Sequence, residues 1–320
     1  MLVSAGSGAD ASSSAAALTA VRPTVALESR FVATVKAVAP SVVEIKTGAR
    51  LGSGVVLDRR GNIVTNRHVT GSSKRFRVTI STGQQYDATL VGTYAPNDLA
   101  VIRVSGANLK PLPLADSSRL RVGDLVLAVG NPLGLRSSVT QGIVSGLGRT
   151  VTVQSGGLLP DVIQTSAAIN PGNSGGALVD LSGRLVGMPT LTALQPEGSR
   201  LANGIGFAIP SNTVKAIASQ IVRYGRVVRT GRASLGIRLA TTLSGRVFVT
   251  DADPRGPAAS AGIVAGDTIT AIDGRIVRSI DDVAAILGGR GDAGSMTIRI
   301  RRASGKTASL VVVAGRFVGD

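Results

Sequence analysis

Residues Asn170-Pro171-Gly172-Asn173-Ser174-Gly175-Gly176 constrain this 320-residue chain more than any other stretch. An apolar, strand-like run with Val162 and Ile163 precedes them, and Ala177-Leu178-Val179 follows. A serine flanked so closely by glycines sits on a tight turn, where small neighbours leave its hydroxyl open to a carbonyl carbon. The same turn can aim the backbone N–H groups of Gly172 and Ser174 at one point, the geometry of an oxyanion hole. Losing one such donor typically costs ~10²–10³ in rate. Alone, the stretch reads equally well as a glycine-rich β-turn between two strands.

A nucleophilic serine needs a base, and the composition offers one histidine, His68, in Ile63-Val64-Thr65-Asn66-Arg67-His68-Val69. Hydrophobic alternation places it at the end of a strand. A lone histidine is usually incidental, and it cannot build a multi-histidine metal site. A base must in turn be oriented by a carboxylate that stabilises the imidazolium. Asp98, in Pro96-Asn97-Asp98-Leu99-Ala100-Val101-Ile102, enters an apolar run where an unpaired carboxylate would be costly, although Asn97-Asp98 also suits a turn or a strand cap. The order His68, Asp98, Ser174 is one of the known chain orders of a Ser-His-Asp triad. Three individually ordinary residues thus fit one mechanism: Ser174 attacks, His68 takes its proton, Asp98 holds the imidazole, and Gly172, Asn173 and Ser174 surround the oxyanion.

The motifs TNRHV, NDLAVI and INPGNSGGALV, with GIGFAIPSN at 204–212, resemble the HtrA/DegP family of trypsin-like serine proteases over roughly residues 30–225. Residues 233–318 resemble a bacterial PDZ domain. The resemblance implies a mainly-β chain: a chymotrypsin-like double β-barrel followed by an α+β PDZ domain. It implies protein quality control outside the cytoplasm, unfolded proteins as substrates, and assembly as a homotrimer or a multiple of it. No cofactor or metal is implied. The competing readings are a chaperone or peptide-binding scaffold whose protease domain rests latent, and an esterase on the same triad, against which stands the PDZ domain, suited to protein clients.

In trypsin-like folds the residue six before the serine lines the base of the S1 pocket, and an acid there selects Lys or Arg. Here it is Ala168 with Ile169 beside it, so a charged P1 side chain would be buried without a partner. A small or medium apolar P1 is expected. Ile205 and Gly206 are candidate further walls and equally ordinary strand residues. Asn173 stands where digestive relatives carry Asp, which argues against zymogen activation by an inserted N-terminus. Ser166 stands where the family often has Asp.

The composition agrees. Forty-three per cent hydrophobic residues with 41 glycines suits a strand-and-turn protein, and the length suits two domains. Only 2% aromatic residues argues against a nucleic-acid stacking platform, and no nucleic-acid motif accompanies the net charge of +16. That charge fits attraction to an anionic cell envelope or to acidic clients, or simply an Arg-rich solvated surface. The absence of cysteine excludes disulfides and thiolate metal sites without settling the compartment.

In chain order, residues 1–27 read as a flexible tail rich in Ala, Ser, Thr and Gly, with neither an intact signal peptide nor an apolar stretch long enough to span a bilayer. Residues 28–225 form the protease domain. It opens with a short helix over Glu28–Ala39, since Phe31, Val32, Val35 and Val38 recur at helical spacing. Its first barrel closes near residue 115, and the second begins with Val122-Gly123-Asp124. Residues 149–160 read as a loop, which the resemblance makes a regulatory loop sensing the PDZ domain, and Thr190–Asn203 as another. Ser211 reads as the N-cap of a helix with Val214, Ile217, Ala218 and Ile221 on one face, ended by Gly225. Residues 226–232 form a linker, and 233–320 the PDZ domain. Within it Ser234-Leu235-Gly236-Ile237 resembles a carboxylate-binding loop, beside which a peptide C-terminus would add as a strand along a groove flanked by a helix over Ile280–Leu287.

Overall fold

A computed structural model describes residues 11–316 except 49, 132–137, 153–157, 171, 195–200, 230–232, 243–244 and 289–293. The chain opens with a helix, α1 (Ala11–Val38), followed by a 3₁₀ turn over Ala39–Ser41. The sequence predicts a helix only from Glu28 and a flexible tail before it. Instead the backbone is helical from Ala11 and runs on through Pro23, so the element extends further than the apolar spacing signals. Residues 1–10 lie outside the described part. Pro40 ends the regular helix, and Thr34 Oγ1 ties it to the Leu181 carbonyl at 2.9 Å.

Short runs of β-branched residues punctuated by glycine then build two closed six-stranded antiparallel barrels. The first comprises β1 (Val42–Thr47), β2 (Arg50–Val56), β3 (Asn62–Asn66), β4 (Arg75–Thr79), β5 (Gln85–Tyr94) and β6 (Leu99–Val104). The second comprises β7 (Leu125–Gly130), β8 (Ser138–Thr152), β9 (Leu158–Thr165), β10 (Ala177–Val179), β11 (Leu185–Leu194) and β12 (Leu201–Pro210). Closure leaves neither barrel with an open edge.

Two stretches predicted as loops are strand for much of their length. Residues 149–152 and 158–160 are the ends of β8 and β9, and 153–157 lie outside the described part. Residues 190–194 and 201–203 extend β11 and β12, whose pairing survives two register shifts after Pro189.

One buried cluster joins Val64 and Val101 of the first barrel to Leu127, Val129 and Ala177 of the second, so residues on different barrels share one rigid frame. The amphipathic helix α3 (Ser211–Tyr224) seals this cluster with Val214, Ile217, Ala218 and Ile221, the predicted face, and Gly225 ends it in the left-handed region at φ 71°. Its first residue differs from expectation. Ser211 is not a cap, because its hydroxyl donates to the Ala115 carbonyl at 2.7 Å, stitching the helix to the inter-barrel connection.

The predicted linker is described only over Arg226–Arg229. The C-terminal domain comprises β13 (Ala233–Ser234), β14 (Ile237–Thr241), β15 (Val247–Ala252), α4 (Pro257–Ser260), β16 (Thr268–Ile272), β17 (Arg275–Ile276), α5 (Ile280–Gly288), β18 (Gly294–Arg301) and β19 (Thr307–Arg316). The main sheet runs β13-β19-β18-β16-β15-β14 over a separate core, which leaves β14 at one end. Among the described residues no helix is long and apolar enough to cross a membrane.

Candidate active site

His68 sits on α2 (Arg67–Thr70), one helical turn that follows β3 directly. Asp98 follows a 3₁₀ turn over Ala95–Asn97 and precedes β6, in the left-handed conformation (φ 50°, ψ 40°) that Asp tolerates better than most residues. β3 and β6 are neighbours, with Asn66 opposite Leu99, so the ladder delivers both residues to one end of the first barrel. The Arg67 N–H donates to the Asp98 carbonyl at 2.9 Å and the Asn66 amide to the same oxygen at 3.1 Å, fixing the two turns together.

The side chains meet accordingly. His68 Nδ1 lies 2.7 Å from Asp98 Oδ2, while the His68 backbone N–H donates to Oδ1 at 3.0 Å. A third donor comes from the second barrel, where Thr190 Oγ1 donates to Oδ2 at 2.7 Å. Every contact uses the carboxylate as an acceptor, which suits an ionised Asp98 and puts the proton of the neutral imidazole on Nδ1, leaving the Nε2 lone pair free. The pair is half in solvent: the His68 side chain is 46% exposed and Asp98 18%.

Ser174 lies on the turn before β10. Its hydroxyl donates to the Thr190 carbonyl at 3.4 Å, so Thr190 touches Asp98 with its side chain and Ser174 with its main chain. The sequence reading missed Thr190 by placing it at the start of a loop. Lying in Leu185-Val186-Gly187-Met188-Pro189-Thr190, it carries no signal except a hydroxyl in an otherwise apolar run.

The Ser174 turn is held tightly. The Asn173 N–H donates to the Asn170 carbonyl at 3.0 Å, Gly175 N–H to Pro189 O at 3.0 Å, and Gly176 N–H to Asn173 O at 2.9 Å. The N–H groups of Gly172 and Ser174 have no acceptor among the described residues. Asn173, grouped with them on sequence grounds, is therefore corrected as a donor: its N–H is consumed inside the turn. Gly172 sits at φ 103°, outside the reach of side-chain-bearing residues. Pro171 lies outside the described part.

The four predicted S1 residues divide. Ile169 is buried and packs against Gly206, where a Cβ would collide with Ile169 Cγ1. Ala168 is exposed, and its carbonyl accepts from Thr140 Oγ1 at 2.8 Å and from the Asn173 side-chain amide at 3.4 Å. Ile205 alternates to the other face of β12 and so leaves the surface that meets Ile169. Ser166 donates no charge but accepts the Ile143 N–H at 3.0 Å, closing the β8–β9 arm.

In the C-terminal domain Ser234 belongs to β13 and Ile237 begins β14, with Gly236 between at φ 67°. Leu235 buries its side chain in the domain core and its carbonyl accepts the Ala258 N–H at 2.9 Å, which leaves the expected carboxylate contact to the backbone N–H groups of this loop. Among the described residues the strand β14 pairs only with β15, and α5 packs beside it. Among the described residues no cluster of His, Asp and Glu has the makings of a metal site.

Comparison with known proteins agrees with this architecture. Residues 52–188 match the trypsin-like peptidase domain and residues 248–302 the PDZ domain. The HtrA-type protease AlgW, solved with a decapeptide, is 30% identical with a TM-score of 0.68, covering 90% of this chain and 98% of its own. The chain belongs to the HtrA family. A serine endoprotease from Yersinia pestis superposes similarly on this HtrA chain, at 33% identity and a TM-score of 0.65, covering 89% and 97% of the two chains. The periplasmic serine endoprotease DegP of Salmonella typhimurium is 44% identical over 249 residues, 74% of this chain and 51% of its own length. The periplasmic pH-dependent serine endoprotease DegQ of Escherichia coli is 38% identical over 247 residues, 73% and 52% of the two. The chain thus spans about half the length of these curated relatives.

Proposed function

We propose that this chain is a serine endopeptidase of envelope protein quality control, acting on unfolded polypeptides outside the cytoplasm. The observation that carries the reading is the 2.7 Å pairing of His68 with Asp98, bridged through Thr190 to a serine on a turn with two N–H groups that have no acceptor among the described residues. The names of the relatives, periplasmic endoproteases, support the setting.

The mechanism uses these atoms in order. Ser174 Oγ leaves the Thr190 carbonyl and bonds to the substrate carbonyl carbon as its proton passes to His68 Nε2. Asp98 holds the imidazolium through Nδ1, and Thr190 keeps Asp98 in place. The carbonyl oxygen, now an oxyanion, accepts from the N–H groups of Gly172 and Ser174. Collapse breaks the C–N bond while His68 returns its proton to the leaving amine. Water then attacks the acyl-enzyme with His68 as base, regenerating Ser174.

The apolar Ile169–Gly206 contact, with no acid at Ala168, supports cleavage after small or medium apolar residues such as Val, Ile, Ala or Leu. The edge strand β14, starting at Ile237 after Leu235 and Gly236, supports capture of a peptide C-terminus or apolar segment by strand addition beside α5. A homotrimer, or a multiple of one, follows the family, and the charge of +16 supports association with an anionic envelope.

The test is degradation of an unfolded protein such as casein by the parent and by Ser174→Ala. Cleavage by the parent alone, after apolar residues, supports the reading. Equal action of both variants on unfolded clients, with no proteolysis, would make the chain a scaffold or chaperone instead.

A further inference from the structure

We propose that Ser53, in the first barrel, is the positioning residue that sets the oxyanion turn of the second. This rests on the endopeptidase reading above and assigns a role to a residue that touches no substrate. Ser53 lies on β2, fully buried, with three of its own atoms already engaged. Its N–H donates to the Ser174 carbonyl at 3.0 Å, its carbonyl accepts Thr65 Oγ1 at 2.6 Å, and its hydroxyl oxygen accepts the Asn131 N–H at 2.8 Å. The hydroxyl proton has one direction left, and it donates to the Gly172 carbonyl.

That bond controls a particular peptide plane. The plane joining Gly172 to Asn173 lies between the plane carrying the Gly172 N–H and the plane carrying the Ser174 N–H. Its carbonyl is held by Ser53, and its N–H by the Asn170 carbonyl at 3.0 Å. Holding the middle plane at both ends fixes the direction of the two donors on either side. Gly172 has no Cβ to resist rotation, and at φ 103° its backbone has alternatives. Without the Ser53 hydroxyl the carbonyl loses its partner in a buried site, where an unmade hydrogen bond is costly, and the plane is held at its N–H end alone. Ser53 and Gly172 are 119 residues apart and on different barrels, so the oxyanion geometry depends on the two barrels staying docked.

Ser53→Ala, made in the full chain and assayed on a peptide with an apolar P1, is expected to lower kcat by about 10- to 100-fold with KM little changed, somewhat less than loss of an oxyanion donor itself. The rate of Ser174 phosphonylation by a fluorophosphonate, which also passes through an oxyanion, should fall in parallel. Ser53→Cys, a weaker donor of similar size, should give an intermediate kcat. Ile63→Val, in the same barrel's core and away from the turn, serves as the stability control: it should lower Tm and leave kcat unchanged. A kcat of Ser53→Ala within twofold of the parent, or a loss that Ile63→Val reproduces at the same Tm, would overturn the assignment. An inactive parent would instead overturn the endopeptidase reading, and this inference with it.

Discussion

Thr190 Oγ1 donates to Asp98 Oδ2 at 2.7 Å, the same oxygen that His68 Nδ1 approaches at 2.7 Å. The donor stands on β11 of the second barrel and the acceptor beside β6 of the first. The carboxylate that orients the histidine is thus itself oriented from across the domain, by the residue whose carbonyl receives the Ser174 hydroxyl.

Removing that donor should therefore be felt in the chemistry. Thr190→Val keeps the shape of the buried side chain but leaves Asp98 one hydrogen bond short. A hydrogen bond to a charged group contributes about 1.5–3 kcal/mol, so kcat/KM should fall about 10- to 100-fold. Steady-state kinetics on an apolar-P1 peptide checks this, and Thr190→Ser should retain most of the activity.

Gly175→Ala tests the turn from the other side. Gly175 is at φ 80°, and an added Cβ would collide with the Ser53 carbonyl and approach Thr65 Oγ1 to 2.5 Å. The variant should lose both activity and stability, the latter by about 1–3 kcal/mol for a residue forced into this region. Denaturant unfolding alongside the peptide assay measures both.

The proposed S1 site makes a specificity prediction. A side chain at Gly206 presses on Ile169, so under that proposal Gly206→Val should leave less room for a P1 side chain. Preference should shift from Leu and Val towards Ala at P1, with kcat/KM for the larger residues down about 10- to 100-fold, the range set by a few methylenes in an apolar pocket. Mapping cleavage sites in casein by mass spectrometry reads the change directly.

Asp116 predicts an acid-dependent stability. Its carboxylate accepts from the Ser118 hydroxyl at 2.7 Å, from the Asn212 amide at 2.7 Å and from the Ser118 N–H at 3.0 Å. These bonds, Ser118 first, hold its pKa down at about 2 from an ordinary 3.8. The folded state therefore favours the charged form. The stability this contributes is present above pH 4 and is lost as the pH falls through the window from about 4 to about 2. Tm of the parent should drop across that window more than Tm of Asp116→Asn, which should be less stable than the parent at neutral pH.

Much of the site was legible because its chemistry needs rare residue types. With one histidine in the chain, the base had one candidate, and Asp98 and Ser174 stood in apolar contexts that marked strand ends. Thr190 and Ser53 were not legible, since a hydroxyl within a strand is ordinary until a partner from a distant segment reaches it. Ser53 meets Gly172 from 119 positions away, and no local pattern encodes such a meeting. Asn173 misled for the opposite reason: it is adjacent to both donors, yet a turn bond back to Asn170 uses its N–H. In the fold, alternation located the strands but not how far they extend, so the ends of β8, β9, β11 and β12 looked like loops.

The central claim is that Ser174 is a nucleophile activated by His68, and the most direct measurement is covalent labelling. The parent and His68→Ala should be incubated with a fluorophosphonate, digested and mapped by mass spectrometry. The expected result is one phosphonyl group on Ser174 in the parent and none in His68→Ala over the same time. An unlabelled Ser174 in the parent, or labelling that proceeds equally without His68, would contradict it.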